Sequence, residues 1–193
     1  EKQRFEIPFR TYSKYNGGRA PERVLVLGAG TGNDVYIALR NGAKRVVAVE
    51  IDPAILAIGR EFNVLRPYSD PAVTIVNDDG RHFLRNTSEK FDLVIFGTLD
   101  SQTLLSGYAN LRLENYIYTE ESFTDVKRVL KDGGMVAAYY SVFGPWLVGR
   151  LFSTMYAAFP GAVRFAYFDD FYLFNLVMMG AKGNPDFRSE PED

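Results

Sequence analysis

The chain has 193 residues, enough for one domain with a complete hydrophobic core, and its composition of 47% hydrophobic and 24% charged residues is ordinary for a globular protein. A formal net charge of −2 excludes the global basic field that attracts nucleic acid. Because the chain has no cysteine and a single histidine, disulfides, thiolate chemistry, cysteine-ligated zinc and histidine-rich metal sites are excluded as well.

From the N-terminus onward, a polar and aromatic stretch leads into an alternation of short apolar runs and helical patterns. Residues 1–21 are predicted to be an N-terminal extension, 22–181 the domain itself, and the polar residues 182–193 a flexible tail. The predicted strands are 23–28, 44–52, 72–80, 91–97 and 135–142, and the predicted helices are 33–41, 53–63, 81–85, 119–134 and 145–159.

The order of these elements predicts an α/β fold. Strand and helix alternate, which favours a parallel sheet with right-handed crossovers and helices on both faces. Thr119 is a good N-cap for the helix that follows it, and Gly133–Gly134 are expected to end that helix. Two last strands, 162–168 and 172–180, have no helix between them and are therefore predicted to be antiparallel neighbours.

Three glycines follow the first predicted strand, in the stretch "VLVLGAGTGNDV" at 24–35. Gly28, Gly30 and Gly32 allow a tight turn and a close approach to a ligand, and the helix beyond them offers free N–H groups. In a parallel α/β sheet, ligands bind at this carboxyl edge. Asn33 stands where the dinucleotide fingerprint G-x-G-x-x-G has its third glycine, so a dinucleotide-dependent oxidoreductase is only a distant alternative.

Acidic residues end the next two predicted strands and strengthen the case for a nucleoside. Glu50, in "VVAVEID", lies at the distance expected of a carboxylate that holds ribose hydroxyls, and Ile51 after it could pack on an adenine face. Asp79, followed by Gly80 in "NDDG", could accept a hydrogen bond from an adenine amino group. Each acid alone could equally be a strand-end or helix-capping residue, but together with the glycines they indicate a nucleoside site.

The motifs "LGAGTG", "VEIDP", "NDDGRHFL", "FDLVIFGTLDS" and "LKDGGMV", spread over 23–142, resemble the spermidine synthase-like branch of the S-adenosylmethionine-dependent methyltransferase superfamily. The resemblance implies a Rossmann-like class I methyltransferase fold, with a mostly parallel seven-stranded sheet and an antiparallel last strand. It also implies that S-adenosylmethionine or its decarboxylated form is the co-substrate, without a metal, and that Glu50 holds the ribose and Asp79 reads the adenine. The expected nucleoside-binding residues are Gly28, Gly30, Gly32, Asp34, Glu50, Ile51, Asp79 and Gly80.

The chain departs from this family at the positions expected near the sulfonium. Methyltransferases often carry an acid where this chain has Val26, and spermidine synthases carry one where it has Thr31. The fourth strand of spermidine synthases usually leads into an Asp-x-x-Asp arrangement, whose first position here is Gly97 and whose second is Asp100. The N-terminal hairpin that helps to close their polyamine site is not evident in the first twenty residues.

Two acids could substitute for the missing ones. We expect Asp100 to be catalytic, because a carboxylate near a sulfonium would bind an acceptor ammonium and then take its proton. Asp34, in the first turn of the helix after the glycines, is the other candidate, although it could also simply cap that helix. Tyr108, Tyr116 and Tyr118 could form a lid or acceptor wall, and Tyr139 and Tyr140 are expected to point to opposite faces of the sheet, although tyrosines in such positions more often serve packing than function.

The leading predicted function is a spermidine synthase-like transferase that moves an aminopropyl group to a small amine acceptor. The alternatives are a small-molecule methyltransferase that uses S-adenosylmethionine, and a non-catalytic nucleoside-binding domain of a larger protein, which the missing acid at Gly97 favours. No contact with nucleic acid or membrane is expected, and related enzymes suggest a homodimer. The lack of an initiating Met, of a signal-like segment and of a long apolar run predicts a cytoplasmic piece of a longer or processed chain.

Overall fold

The computed structural model describes residues 2–97, 116–142, 144–168, 175–184 and 186–187. The strands are β1 (Arg23–Leu27), β2 (Arg45–Glu50), β3 (Val73–Asn77), β4 (Phe91–Phe96), β5 (Leu130–Tyr140), β6 (Val163–Tyr167) and β7 (Leu176–Ala181). They form one sheet in the order β3-β2-β1-β4-β5-β7-β6. β7 runs antiparallel to both of its neighbours, and the other paired strands are parallel. The predicted seven-stranded, mostly parallel sheet with an antiparallel last strand is confirmed.

Helices cover both faces of this sheet, as predicted. They are α1 (Lys2–Phe5), α2 (Ile7–Tyr15), α3 (Asn33–Arg40), α4 (Pro53–Phe62), α5 (Gly80–Asn86), α6 (Glu120–Val129) and α7 (Pro145–Ala158), with a short 3₁₀ helix at Pro67–Ser69. No helix within the described ranges is long and apolar enough to cross a membrane.

The two N-terminal helices are absent from the sequence-based prediction, which assigns no regular structure to the extension. Phe5, Phe9 and Tyr12 follow one another at intervals of four and three residues, which is the spacing of one helical face. Phe9 and Tyr12 are buried in the core, and Phe5 packs against it. The helical signal was therefore present, but it spans only a few residues and lies among polar ones.

The central strands are buried on both faces, which explains their nearly continuous apolar sequences. In β1, Val24 and Val26 face the core that includes α2, α3 and α4, whereas Leu25 and Leu27 face the core that includes α5, α6 and α7. Burial of each such side chain contributes about 1.5–3 kcal/mol relative to exposure. The sheet is thus a rigid platform, and its carboxyl edge holds the loops that follow β1 to β4.

The helix predicted at 119–134 begins as expected but ends earlier. Thr119 is its N-cap, since its Oγ1 accepts a hydrogen bond of 3.2 Å from the Ser122 N–H. The helix stops at Val129, and Gly133–Gly134 lie inside β5. Gly133 has a φ of +76°, and its N–H donates to the Lys182 carbonyl at 2.8 Å. These glycines serve an irregular start of the strand, where its pairing with β4 changes register, and do not end the helix.

The first residues of the predicted flexible tail are packed on the domain. The Phe187 side chain is 1% exposed, and its ring lies edge-on to Tyr15 with the ring centroids 4.9 Å apart. The Asn184 side chain donates a hydrogen bond of 2.8 Å to the Tyr15 carbonyl. Both contacts join this segment to the end of α2.

We expect Phe187→Ala to lower the free energy of unfolding by about 3 kcal/mol, because it empties a fully buried aromatic site. Urea unfolding followed by circular dichroism measures the change. Phe62→Ala is the matched control, since Phe62 is 68% exposed, and it should change the stability by less than about 1 kcal/mol. Equal effects of the two substitutions would contradict the packing of the C-terminal segment.

Candidate active site

The predicted site residues gather at the carboxyl ends of β1, β2, β3 and β4. The chain builds the sheet outward from β1 to β3 and then crosses back to place β4 on the other side of β1. This reversal between β1 and β4 is a topological switch point, where open α/β sheets bind their ligands. Gly28 follows β1, Glu50 ends β2, Asp79 follows β3 and Gly97 follows β4.

The glycine loop after β1 adopts a backbone conformation that favours glycine at three positions. Gly28, Gly30 and Gly32 have φ values of +68°, +55° and +96°. At Gly32 a Cβ atom would also lie 2.6 Å from Cγ of Pro67, so both backbone and space require glycine there. Gly32 is the N-cap of α3, and the loop thus delivers the first turn of that helix to the switch point.

Two backbone N–H groups fix the Glu50 carboxylate, one from the glycine loop and one from Asp52. Its Oε2 accepts from the Gly30 N–H at 2.9 Å, and its Oε1 accepts from the Asp52 N–H at 3.0 Å. The residue is 7% exposed. Each carboxylate oxygen keeps a lone pair for a further donor. The geometry therefore suits two neighbouring hydroxyl groups, as the sequence-based prediction for Glu50 requires.

Ile51 and Asp79 flank the same edge. Ile51 is 57% exposed, which is unusual for isoleucine and leaves an apolar face beside Glu50. Asp79 caps α5, because its Oδ1 accepts from the His82 N–H at 2.9 Å. Within the described residues, its second oxygen carries no hydrogen bond. Asp79 is thus both a helix cap and a free acceptor, and Gly80 begins the helix it caps.

Residues outside the glycine motif hold the loop in place, and sequence reasoning missed them. The Tyr68 hydroxyl donates to the Gly30 carbonyl at 2.7 Å, and the Asn63 side chain donates to the Thr31 carbonyl at 2.8 Å. Gly59 lets α4 approach the loop, since a Cβ there would lie 2.8 Å from the Thr31 carbonyl oxygen. A glycine inside a helical pattern is a sequence signal for close backbone approach, whereas nothing in the sequence singles out Tyr68 or Asn63.

Asn77, the last residue of β3, is a further residue that sequence reasoning missed. Its side-chain amide donates to the Glu50 and Ile51 carbonyls at 2.9 and 3.0 Å. These bonds fix the backbone at the point where β2 ends. The positions of Glu50 and Ile51 therefore depend on the neighbouring strand as well as on their own.

Asp34 lies in the first turn of α3 and is 8% exposed. Its Oδ2 lies 3.3 Å from the point where a side chain at position 97 would place its Cβ atom. The same Cβ would lie 2.5 Å from the Gly28 carbonyl oxygen, so position 97 accepts only glycine. Burial raises the pKa of the Asp34 carboxyl to about 7. The structure thus places the Asp34 carboxyl next to Gly97, at the carboxyl ends of β1 and β4.

The remaining predicted site residues divide between described and undescribed segments. Asp100 and Tyr108 lie outside the described residues, so the predicted catalytic role of Asp100 stays a prediction. Tyr139 and Tyr140 do point to opposite faces of the sheet, as expected from strand alternation. Tyr140 packs against Tyr118 with the ring centroids 4.8 Å apart.

Among the described residues, no group of three or more His, Cys, Asp or Glu side chains could hold a metal ion.

A family model described as the spermine/spermidine synthase domain matches residues 10–160. The chain belongs to this family. Among curated members, the polyamine aminopropyltransferase of Thermoplasma volcanium is 29% identical over 120 residues, which cover 61% of this chain and 41% of that protein. The chain therefore spans about two fifths of the length of this relative.

Solved structures agree with this family assignment at the level of the fold. A spermidine synthase in complex with the transition-state analogue AdoDATO has a TM-score of 0.72 at 18% identity, over 95% of this chain and 60% of that one. Human methyltransferase-like protein 13 in complex with SAH has a TM-score of 0.69 at 16% identity, over 97% of this chain and 81% of that one. The fold is therefore that of the Rossmann-like class I methyltransferases, as predicted.

We expect Asp34→Asn to stabilise the ligand-free protein at alkaline pH. The pKa of Asp34 is about 7 in the folded protein and about 3.9 when unfolded, so the folded state binds more protons between these values and loses stability as the pH rises through them. The variant should therefore match the wild type near pH 4 and exceed its free energy of unfolding by roughly 2–4 kcal/mol at pH 8. Urea unfolding across this pH range measures the difference.

Asp132→Asn serves as the control for this comparison, because the Asp132 side chain is 94% exposed. It should follow the wild-type pH profile. A constant difference between Asp34→Asn and the wild type at all pH values would contradict the raised pKa of Asp34.

Proposed function

We propose that the chain binds decarboxylated S-adenosylmethionine and transfers its aminopropyl group to a small amine acceptor. The observation that carries the proposal is the Glu50 carboxylate, which backbone N–H groups orient at the switch point while each oxygen keeps acceptor capacity. Membership of the spermine/spermidine synthase domain family and the likeness to named aminopropyltransferases support the aminopropyl group as the one transferred.

In this proposal the nucleoside lies along the carboxyl edge from β3 to β1. Glu50 accepts hydrogen bonds from the two ribose hydroxyls, and the free oxygen of Asp79 accepts one from the adenine amino group. The exposed side chain of Ile51 packs on one face of the adenine. Open space adjoins the glycine loop at Gly30, where a Cβ atom would meet no other atom within 4 Å, and the ligand lies there. The sulfonium end then lies toward the carboxyl ends of β1 and β4, on the side of Gly97.

The transfer itself needs little covalent participation by the protein. The acceptor nitrogen attacks the propyl carbon bonded to sulfur, a C–N bond forms, and the C–S bond breaks with its electron pair on sulfur. The positive charge on sulfur already activates the leaving group, so the protein contributes mainly the alignment of the reactants and the removal of a proton. The carboxylates of Asp100 and Asp34 are the proposed proton acceptors.

The buried acid beside Gly97 favours the decarboxylated co-substrate over S-adenosylmethionine itself. The intact ligand carries a carboxylate at the end of its side chain, and Asp34 would repel it in a site of low exposure. The decarboxylated ligand has only cationic groups on that side. The same charge therefore disfavours the methyltransferase alternative.

Calorimetric titration with decarboxylated S-adenosylmethionine, S-adenosylmethionine and neutral methylthioadenosine tests the choice of ligand. We expect the decarboxylated form to bind at least about tenfold more tightly than the intact one, since a single like-charge contact of about 1.4 kcal/mol suffices. Incubation with putrescine or spermidine should release methylthioadenosine. Preference for the intact ligand with methyl transfer would establish a methyltransferase, and binding without any product would establish a non-catalytic module.

Glu50→Gln should lower the affinity for methylthioadenosine by about 30- to 100-fold, because hydrogen bonds to a charged group contribute roughly 1.5–3 kcal/mol. The neutral ligand isolates the ribose contacts from effects of charge at the sulfur. Glu61→Gln is the control, since Glu61 lies exposed on the nearby α4 and should bind as the wild type does. Wild-type affinity in Glu50→Gln would exclude this carboxylate as the ribose acceptor.

A further inference from the structure

Asp34 is a buried acid without a partner in the part of the chain that the structure describes. The N-cap of α3 is Gly32, and among the described residues no hydrogen-bond donor contacts the Asp34 carboxylate. Burial alone raises the pKa of this carboxyl to about 7. A helix-capping role therefore does not explain it. The partial positive charge of the α3 N-terminus favours an acid at this position. A buried carboxylate without a cation or a hydrogen-bond donor nevertheless lowers the stability of the folded protein and is characteristic of functional sites.

The Asp34 carboxyl lies next to Gly97, the residue that follows β4 and has no side chain. Its Oδ2 lies 3.3 Å from the position of a Cβ on Gly97. A side chain at that position is excluded, because its Cβ would be 2.5 Å from the Gly28 carbonyl oxygen. An acid at the switch point therefore has to come from another element, and the first turn of α3 supplies it.

The groups that face Asp34 are neutral at physiological pH. They are the phenols of Tyr68, in the 3₁₀ helix, and Tyr139, in β5. Burial is the main cause that raises the pKa of each; at Tyr68 the charges of Glu50 and then Asp34 raise it further and Arg60 lowers it, and at Tyr139 the charge of Asp34 raises it further. The adjoining residues of β1 and β4, Leu27 and Gly97, carry no ionisable group. No described cation contributes to the pKa of Asp34. Among the described residues, Asp34 thus has the partial positive charge of the α3 N-terminus but no cationic side chain that contributes to its pKa.

We propose that Asp34 takes the proton from the acceptor ammonium at the carboxyl ends of β1 and β4, beside Gly97. This inference rests on the proposed aminopropyl transfer. The acceptor arrives as R–NH₃⁺ and gives one proton to the Asp34 carboxylate. The neutral nitrogen then forms the C–N bond as the C–S bond breaks, which leaves neutral methylthioadenosine and a secondary ammonium product. Asp34 finally releases its proton to solvent, so charge and atoms balance.

Kinetics of Asp34→Asn against the wild type test this role, with Asp34→Glu, Asp100→Asn and Asp132→Asn in parallel. At pH 8 and saturating nucleoside, Asp34→Asn should lower kcat by about 100-fold, as expected for loss of a general base. For the wild type, kcat/KM for the acceptor should fall on the acid side of the pH profile (the acid limb), as Asp34 becomes protonated. Its midpoint should lie at or somewhat below pH 7, since the bound sulfonium favours the charged carboxylate. The limb should vanish in Asp34→Asn and persist, shifted, in Asp34→Glu. Asp132→Asn should behave as the wild type.

Proton release on binding gives a second readout that does not depend on turnover. At pH 7 about half of the Asp34 side chains are protonated, so binding of the cationic decarboxylated ligand should release roughly half a proton from the wild type. Titration in buffers of different ionisation enthalpy measures this number. Asp34→Asn should release none, and neutral methylthioadenosine should release none from either protein.

The outcomes separate this inference from the proposed function. Equal proton release by the wild type and Asp34→Asn, or an acid limb that survives in Asp34→Asn and vanishes in Asp100→Asn, would overturn the role of Asp34 while leaving aminopropyl transfer intact. Reduced affinity of Asp34→Asn for the decarboxylated ligand with an unchanged acid limb would also overturn it, because Asp34 would then only bind the nucleoside. Binding of methylthioadenosine without any transfer by the wild type would refute the proposed function itself.

Discussion

The close approach of β1 and β4 at the switch point is the constraint on which the site depends. The Gly97 N–H donates to the Leu27 carbonyl at 2.9 Å, which extends the pairing of the two strands by one residue. The next carbonyl, that of Gly28, then occupies the space where any Cβ at position 97 would lie. The residue after β4 consequently has no side chain. Any side chain that contacts a ligand at this position must come from α3 or from the loop after β4.

The two buried acids at this edge differ in their hydrogen bonds, and this difference divides their tasks. Each carboxylate oxygen of Glu50 accepts a hydrogen bond from a backbone N–H group, one in the glycine loop and one at the start of α4. The carboxylate is therefore held in one orientation, as binding of two hydroxyl groups requires. Asp34 has no such support among the described groups, and burial raises the pKa of its carboxyl to about 7. Glu50 is therefore held in a fixed orientation, whereas the proposed role of Asp34 is to accept a proton.

The sheet, five of the helices and the Thr119 cap could be predicted because each depends on a local pattern of apolar, capping and turn residues. The prediction for Gly133–Gly134 failed because glycine ends helices and also permits strand irregularities, and only strand pairing decides between them. Glu50 lies within a recognisable motif, whereas Tyr68 reaches the glycine loop through tertiary packing that no local pattern contains. The sequence likewise placed Asp34 in the first turn of α3, whereas its burial depends on tertiary packing.

The burial of Asp34 also bears on whether the chain is a catalyst or a passive nucleoside-binding module. Such a module would need Glu50 and Asp79, which contact the neutral part of the nucleoside in the proposed mode. Asparagine at position 34 would fill the same volume without the free-energy cost of a desolvated charge. A cationic reactant compensates for that cost because it supplies a positive charge. The charged acid is thus unfavourable in the empty protein, and in the proposed reaction the cationic reactant would compensate for that cost.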